Sequence, residues 1–367
     1  MRGHEKGFEF GDADTFLTAI TPDISLILLD LVMPNVDGVE LLRMLGEQKC
    51  TTPIVLMSGV GARILETAVS LAISLGLNVA GHLRKPFRIA ELEAFFVPPQ
   101  ESQAAARDTR NILLEDNELT RAMAHDEFVL HYQPQIEIAT GEVAGVEALV
   151  RWQHPVHGLI YPDSFIARCE GLDLIGQLGT LVAARALSEI AGLTGTGKKP
   201  LFLSINVSAF TLLDLTFPDT LFNLALKHKK NPEEVVLEIT ETGIVRELSQ
   251  TLDVLTRLRM KGFQLSIDDF GTGYAMMQQL QNIPATEIKI DRSFVMSMNN
   301  KSERVMVVKT IEIGHELGLK VVAEGVETAN HLEMLRAHGC DVAQGYFFSK
   351  PLPPAEFVTW LANYSAG

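Results

Sequence analysis

After residue 113 the chain alternates apolar runs of strand length with amphipathic helical stretches, and most of those runs carry or end in an acid or an amide. The strand candidates are Phe128–Gln133, Gly145–Val150, Leu201–Val207, Val235–Ile239, Phe263–Ile267, Glu287–Ile290, Lys320–Ala323 and Asp341–Phe347. Helical patterns over Ile175–Ile190, Gln250–Met260, Glu303–Leu317 and Ala329–Ala337 separate several of them. This rhythm, sustained for roughly 250 residues, is that of a (β/α)8 barrel of the α/β class.

The polar residues follow the same beat. The second run carries Glu147, the third ends in Asn206, the fourth holds Glu238 and the fifth ends in Asp268 and Asp269. The sixth holds Lys289 and leads into Asp291, the seventh leads into Glu324 and Glu327, and the eighth carries Gln344. A single acid after a strand is ordinarily a solvated loop residue, a lone Asn satisfies a turn, and Asp-Asp caps a helix. A whole series in phase with the strands is different, because in a barrel those ends converge on one mouth. Several of the acids also lie inside apolar strands, where an uncompensated carboxylate is costly and calls for a cation. Carboxylates plus one amide suit hard ions such as Mg2+ or Mn2+, and adjacent aspartates can serve two ions, one of them bridging.

Composition narrows the classes further. The net charge of −15 argues against a DNA or RNA polymer as partner, since phosphate neutralisation needs basic residues. No apolar stretch is long enough to span a membrane, and the N-terminus lacks a signal-peptide pattern. Cys50, Cys169 and Cys340 are scattered, with neither zinc-site nor disulfide-framework spacing, which predicts a reducing cytoplasm.

The first hundred residues also alternate. Ser25–Asp30, Pro53–Ser58 and Ala80–Lys85 read as buried parallel strands, with helical stretches at Val39–Leu45 and Ala62–Leu75 between them. The sequence VPPQESQAAARDTRN that follows has no apolar period and reads as a linker. The expected division is a domain over 1–97, a linker over 98–113 and a barrel over 114–367.

The motifs of the second domain resemble those of the EAL-domain phosphodiesterases. Glu147-Ala148-Leu149 followed by Val150-Arg151-Trp152 carries the signature. Matching in order are YQP at Tyr132–Pro134, Asn206 in SINVS, Glu238 in EITET, DDFGTGY at Asp268–Tyr274, KID at Lys289–Asp291, EGVE at Glu324–Glu327 and QGY at Gln344–Tyr346. The likeness spans roughly residues 115–362.

That resemblance implies metal-dependent hydrolysis of cyclic di-GMP to linear pGpG in a homodimer, on a barrel whose first strand is antiparallel. It implies that Glu147, Asn206, Glu238 and Asp268 hold a first metal, that Asp268 bridges and that Asp269 helps hold a second. Lys289 would touch the reactive water or phosphate, Glu324 and Gln344 would position water or metal, and Glu327 would sit in the hydrogen-bonded shell. Gln133, Leu149, Arg151, Asp291 and Glu327 fall to substrate binding, Arg151 through phosphate. Glu241 would anchor the loop Asp269–Tyr274, which in the family touches the dimer contact. Every ligand position is filled, favouring an active enzyme over a catalytically silent cyclic di-GMP receptor or an interaction scaffold. One departure stands just beyond that loop, where Ala275, Met276 and Met277 replace the family's Ser-Ser-Leu. It bears on loop conformation and regulation more than on chemistry.

The front end resembles a response-regulator receiver, a flavodoxin-like α/β fold, through Leu29-Asp30, Met33-Pro34, Asp37-Gly38, Ser58 and Lys85-Pro86. By this resemblance Asp30 is the phosphoacceptor, Ser58 the switch hydroxyl and Lys85 the phosphate-pairing cation, with a sensor histidine kinase as partner. The family's first strand and its Mg2+-binding acidic pair have no counterpart here. The expectation is therefore an incomplete receiver in which Asp30 is phosphorylated weakly or not at all.

Overall fold

The computed structural model describes residues 10, 13–20, 24–33, 38–59, 62–85, 87, 92, 95, 116–193, 200–240, 248–270 and 282–365. The chain divides into two compact units, Met1–Arg107 and Asp108–Gly367. The linker 98–113, Met1–Glu9, Pro34, Asp37, Pro86, Glu241, the loop from Gly271 to Tyr274 and the Ala275-Met276-Met277 departure all lie outside the described residues.

In the first unit α1 (Ala13–Ala19) is followed by β1 (Ile27–Asp30), α2 (Gly38–Glu47), β2 (Ile54–Ser58), α3 (Ala62–Ser74) and β3 (Val79–Arg84). The strands form a parallel sheet in the order β1-β2-β3. Leu41, Leu42 and Leu45 of α2 are buried together with Ile27, Leu29, Ile54 and Leu56, so one apolar helix stripe packs against the sheet. Asp30 ends β1, and its carboxylate meets Lys85 Nζ at 2.5 Å. Ser58 ends β2 and is buried.

The second unit opens with α4 (Asp116–Ala124), β4 (Phe128–Glu137), β5 (Val143–His154) and β6 (Gly158–Ile160). Next come α5 (Ile166–Gly171), α6 (Ile175–Glu189), β7 (Phe202–Asn206), α7 (Phe217–Lys227), β8 (Val235–Thr240) and α8 (Leu248–Met260). It closes with β9 (Gln264–Phe270), β10 (Glu287–Ile290), α9 (Arg292–Met296), α10 (Lys301–Glu316), β11 (Lys320–Ala323), α11 (Ala329–Ala337), β12 (Val342–Gln344) and α12 (Pro354–Asn363). The strand order is β4-β12-β11-β10-β9-β8-β7-β5, with β6 added on the end of β5, and a β4–β5 pairing closes the barrel. β4 is antiparallel to both of its neighbours and the other barrel strands pair in parallel.

Alternation along each strand explains the two-sided burial. Leu237, Ile239, Leu265, Ile267, Ile288, Ile290, Val321 and Ala323 belong to the apolar core. The intervening Glu238, Ser266, Asp268, Lys289 and Glu324 lie on the opposite, lumenal side of the same strands. The main apolar layer thus lies between strands and helices, and the lumen is largely polar.

The last strand is shorter than its apolar run suggests. It stops at Gln344 because Gly345 turns the chain against the β11 exit loop, where Val326 N–H donates to Gln344 O and Phe347 N–H to Val326 O. A Cβ on Gly345 would lie 2.1 Å from Val326 O and 2.3 Å from Val326 N. Backbone on backbone has no side-chain rotation to relieve it. Gly345→Ala is expected to cost more than ~3 kcal/mol, read as a lowered urea midpoint.

Candidate active site

The lumenal polar residues meet around one ammonium. Lys289 on β10 is fully buried. Its Nζ lies 2.7 Å from Glu238 Oε2, 2.5 Å from Glu324 Oε1, and 3.6 Å from both Glu147 Oε2 and Asp268 Oδ1. Burial alone would strip the lysine of its proton. The encircling carboxylates outweigh that and push its pKa well above the ordinary value.

A second network fixes Glu147, which sits within β5 because that strand continues to His154. Asn206 Nδ2 donates to its Oε1 at 2.8 Å, and Gln344 Nε2 donates to its Oε2 at 2.5 Å. Gln344 Nε2 also donates to Gln133 Oε1 at 3.0 Å, and Gln344 Oε1 accepts from Gln135 Nε2 at 3.1 Å. Gly145 makes room for this amide chain, since a Cβ there would stand 2.7 Å from Gln135 Oε1. Burial raises the Glu147 pKa, but Lys289 and the Gln344 and Asn206 donors overcome it and hold the carboxyl below its usual range.

Asp268 and Asp269 occupy a bulge. β9 and β10 pair at Ile267↔Ile288 and again at Phe270↔Ile290, so two aspartates stand opposite Lys289 alone. Asp269 has a left-handed backbone, φ 56°, and its N–H donates to Asp268 Oδ1 at 2.9 Å. Burial, then the charges of Asp268 and Asp291, push its carboxyl up to about 6. Burial pushes Glu324 up to about 7, with the charges of Asp268 and Glu147 adding to it against the pull of Lys289. Burial and the Glu147 charge also hold Glu238 well above the carboxylate range.

These shifts set a pH dependence. A carboxyl whose pKa is raised on folding stabilises below its unfolded value and loses that contribution as pH climbs through the folded value. For the metal-free protein, Glu324 and Asp269 predict a melting temperature that falls between about pH 5 and about pH 7.5. Saturating Mn2+ is expected to remove the fall, which differential scanning fluorimetry across that range will show.

Arg151 is buried. Its Nη1 donates to Val150 O at 2.8 Å, its guanidinium carbon lies 5.0 Å from the Tyr161 ring centroid, and its Nε has no hydrogen-bond partner among the described residues. Leu149 precedes it on the Glu147 face of β5, and Gln133 pairs with Glu147 across β4 and β5. Asp291 caps α9 by accepting from Ser293 N–H at 2.9 Å, and it also faces Asp269. Glu327 is exposed on its loop, and among the described residues no side-chain hydrogen bond joins it to the acid cluster.

The structure thus gathers Glu147, Asn206, Glu238, Asp268, Lys289, Glu324, Gln344 and Gln133. Sequence reasoning passed over Gln135, Ser204, Ser266 and Glu287 in the lumen, and Tyr161 over Arg151. The available signal was a polar residue spaced by two from a site residue inside an apolar strand.

The donor set suits a hard cation. All candidate ligands offer oxygen, negative charge exceeds the single ammonium, and Glu238 Oε1 is buried without a hydrogen-bond donor. Among the described residues no three acidic, histidine or cysteine side chains form a ready cage. Lys289 Nζ stands where the acids converge, so an ion would have to take carboxylates from it.

Comparison with known proteins agrees with this geometry. The EAL domain family model matches residues 116–351, and the response regulator receiver domain model matches residues 6–96. The chain is 38% identical over 263 residues to the cyclic di-GMP phosphodiesterase NbdA of Pseudomonas aeruginosa, which covers 71% of this chain and 34% of that protein. It therefore spans about a third of NbdA's length. It is 30% identical over 350 residues to the cyclic di-GMP phosphodiesterase RocR of the same organism, covering 93% of this chain and 87% of RocR. The solved structure of the PaMucR phosphodiesterase in complex with c-di-GMP superposes with a TM-score of 0.61 at 35% identity, over 66% of this chain and 98% of that one. No helix among the described residues is long and apolar enough to cross a membrane. With a barrel closed by an antiparallel first strand, acids gathered in its lumen and a parallel α/β unit ahead of it, the chain belongs to the EAL-domain family and carries a response-regulator receiver domain at its N-terminal end.

Proposed function

We propose that this chain hydrolyses one phosphodiester of cyclic di-GMP to linear pGpG with the help of two divalent cations, Mg2+ or Mn2+. The observation that carries this reading is the convergence of Glu147, Glu238, Asp268 and Glu324 within 4 Å of one buried ammonium, an excess of negative charge at one point in the lumen. Glu147, Asn206, Glu238 and Asp268 would hold the first ion, and Asp268 and Asp269 the second. When bound, the ions would lower the pKa of water and offset charge on the phosphoryl oxygens.

The chain's own groups do the rest. Arg151 offers an unused, buried Nε–H to a substrate phosphate, and the Tyr161 face keeps its guanidinium in place. Gln133 and Leu149 line the substrate side of the mouth. The water oxygen bonds to phosphorus, the phosphorus–O3′ bond breaks, and the departing alkoxide takes a proton from solvent water. Glu324, poised near neutrality, can accept the proton that water releases. Lys289 adds positive charge near the reacting phosphoryl group. Homodimerisation, a cytoplasmic setting and a receiver that pairs with a sensor histidine kinase but is phosphorylated weakly or not at all at Asp30 complete the proposal. The free thiols of Cys50, Cys169 and Cys340 are in keeping with that setting.

Incubating cyclic di-GMP with the wild type and Mg2+ or Mn2+, followed by chromatography, tests this. Linear pGpG from the wild type and at least ~10²-fold less from Asp268→Asn is the expected result. Tight binding with no product would instead make the chain a receptor.

A further inference from the structure

Two buried oxygens in the lumen are not explained by the acid cluster. Ser266 Oγ and Glu287 Oε1 are shielded from solvent; the serine hydroxyl stands close enough to the Glu287 carboxyl to favour its charged form, but neither atom completes a well-formed hydrogen bond among the described residues. The sheet register makes them neighbours: Ser266 pairs with Glu287 across β9 and β10, and with Glu238 across β8 and β9. Each lies two residues before a site residue on the same strand face, Ser266 before Asp268 and Glu287 before Lys289, so both sit in the layer beneath the cluster. Glu238 Oε1, at the same level, also has no donor. Below, Lys320 Nζ closes the lumen, 3.9 Å from Glu287 Oε2 and 5.6 Å from the Phe202 ring centroid.

Each unsatisfied buried polar atom is costly, and three on consecutive strands at one level call for a common partner. That partner must donate twice, to two carboxylate oxygens, and accept once, from a hydroxyl. A single water molecule meets all three demands. We propose that Ser266 and Glu287 hold an internal water that donates to Glu238 Oε1 and Glu287 Oε1 and accepts from Ser266 Oγ, making both side chains positioning residues for the Glu238 carboxylate. Its metal-binding arm rests on the reading of Glu238 as a ligand, and its stability arm does not.

The test uses the full chain and three variants. Ser266→Ala strips the water of its donor. The expected results are a lower melting temperature without metal, roughly tenfold weaker Mn2+ binding by calorimetry, and a fall in kcat with KM unchanged. Glu287→Leu should behave alike, and Glu287→Gln, which keeps an acceptor oxygen, should bind Mn2+ nearly as the wild type does. If no water is held, Ser266→Ala removes only a poorly aligned contact with Glu287, which is close to neutral for the melt and leaves Mn2+ affinity unchanged. An unchanged or higher melting temperature, or unchanged Mn2+ affinity, would overturn the proposal. A wild type that binds no Mn2+ sinks the enzymatic reading, and the metal-free melt still decides whether the water is there.

Discussion

Glu147→Ala is expected to lower kcat by ~10³-fold or more while the fold survives. Glu147 is the junction of the two networks: it receives Asn206 and Gln344 as donors and stands 3.6 Å from Lys289. Losing it would remove a proposed metal ligand and free the Asn206 amide from its orientation. The structural cost is small, because Gln344 keeps Gln133 as an acceptor and the crowded acids lose one negative neighbour. About 1–2 kcal/mol for the unpaired Asn206 donor covers it. Steady-state turnover beside a thermal melt checks both halves. Retained activity would remove Glu147 from the catalytic machinery, and an unfolded variant would show the acid to be architectural.

The second large effect is on stability. Lys289→Met should destabilise the metal-free protein by ~3–5 kcal/mol at pH 8, because it leaves Glu238 and Glu324 buried without the cation they bond. At pH 5.5 the loss should be much smaller, since burial already holds Glu324 at about 7 and a proton can replace the lost charge. Saturating Mn2+ at pH 8 should restore part of the stability by supplying positive charge where Nζ stood. Melting curves at both pH values, with and without Mn2+, carry the test. An equal loss at each pH would mean that lysine packing, and not charge, is what the cluster needs.

Much of the site was legible before any coordinates because it is written along parallel strands. Glu147, Asn206, Glu238, Asp268, Lys289, Glu324 and Gln344 each stand in or at the end of an apolar run, and a barrel aims such positions at one mouth. The predicted strand at Val235–Ile239 comes within a residue of the observed Val235–Thr240, and Glu287–Ile290 coincides with the observed strand. Less was legible where spacing carries no direction. Periodicity does not tell a parallel strand from an antiparallel one, so the orientation of β4 came only from family likeness. The resemblance also assigned Glu327 to the shell, and the fold leaves it exposed.

The linear order of residues thus determined most of the side chains that the lumen gathers and the chemistry they offer: oxygen donors with one lysine among them. Tertiary structure alone decided how they are joined. The bulge that sets Asp268 and Asp269 opposite Lys289, the Gln135–Gln344–Glu147 chain and the Ser266–Glu287 layer all depend on register between strands far apart in sequence. Register is a property of pairs of strands, set by how the closed barrel packs, and no single segment of the chain contains it.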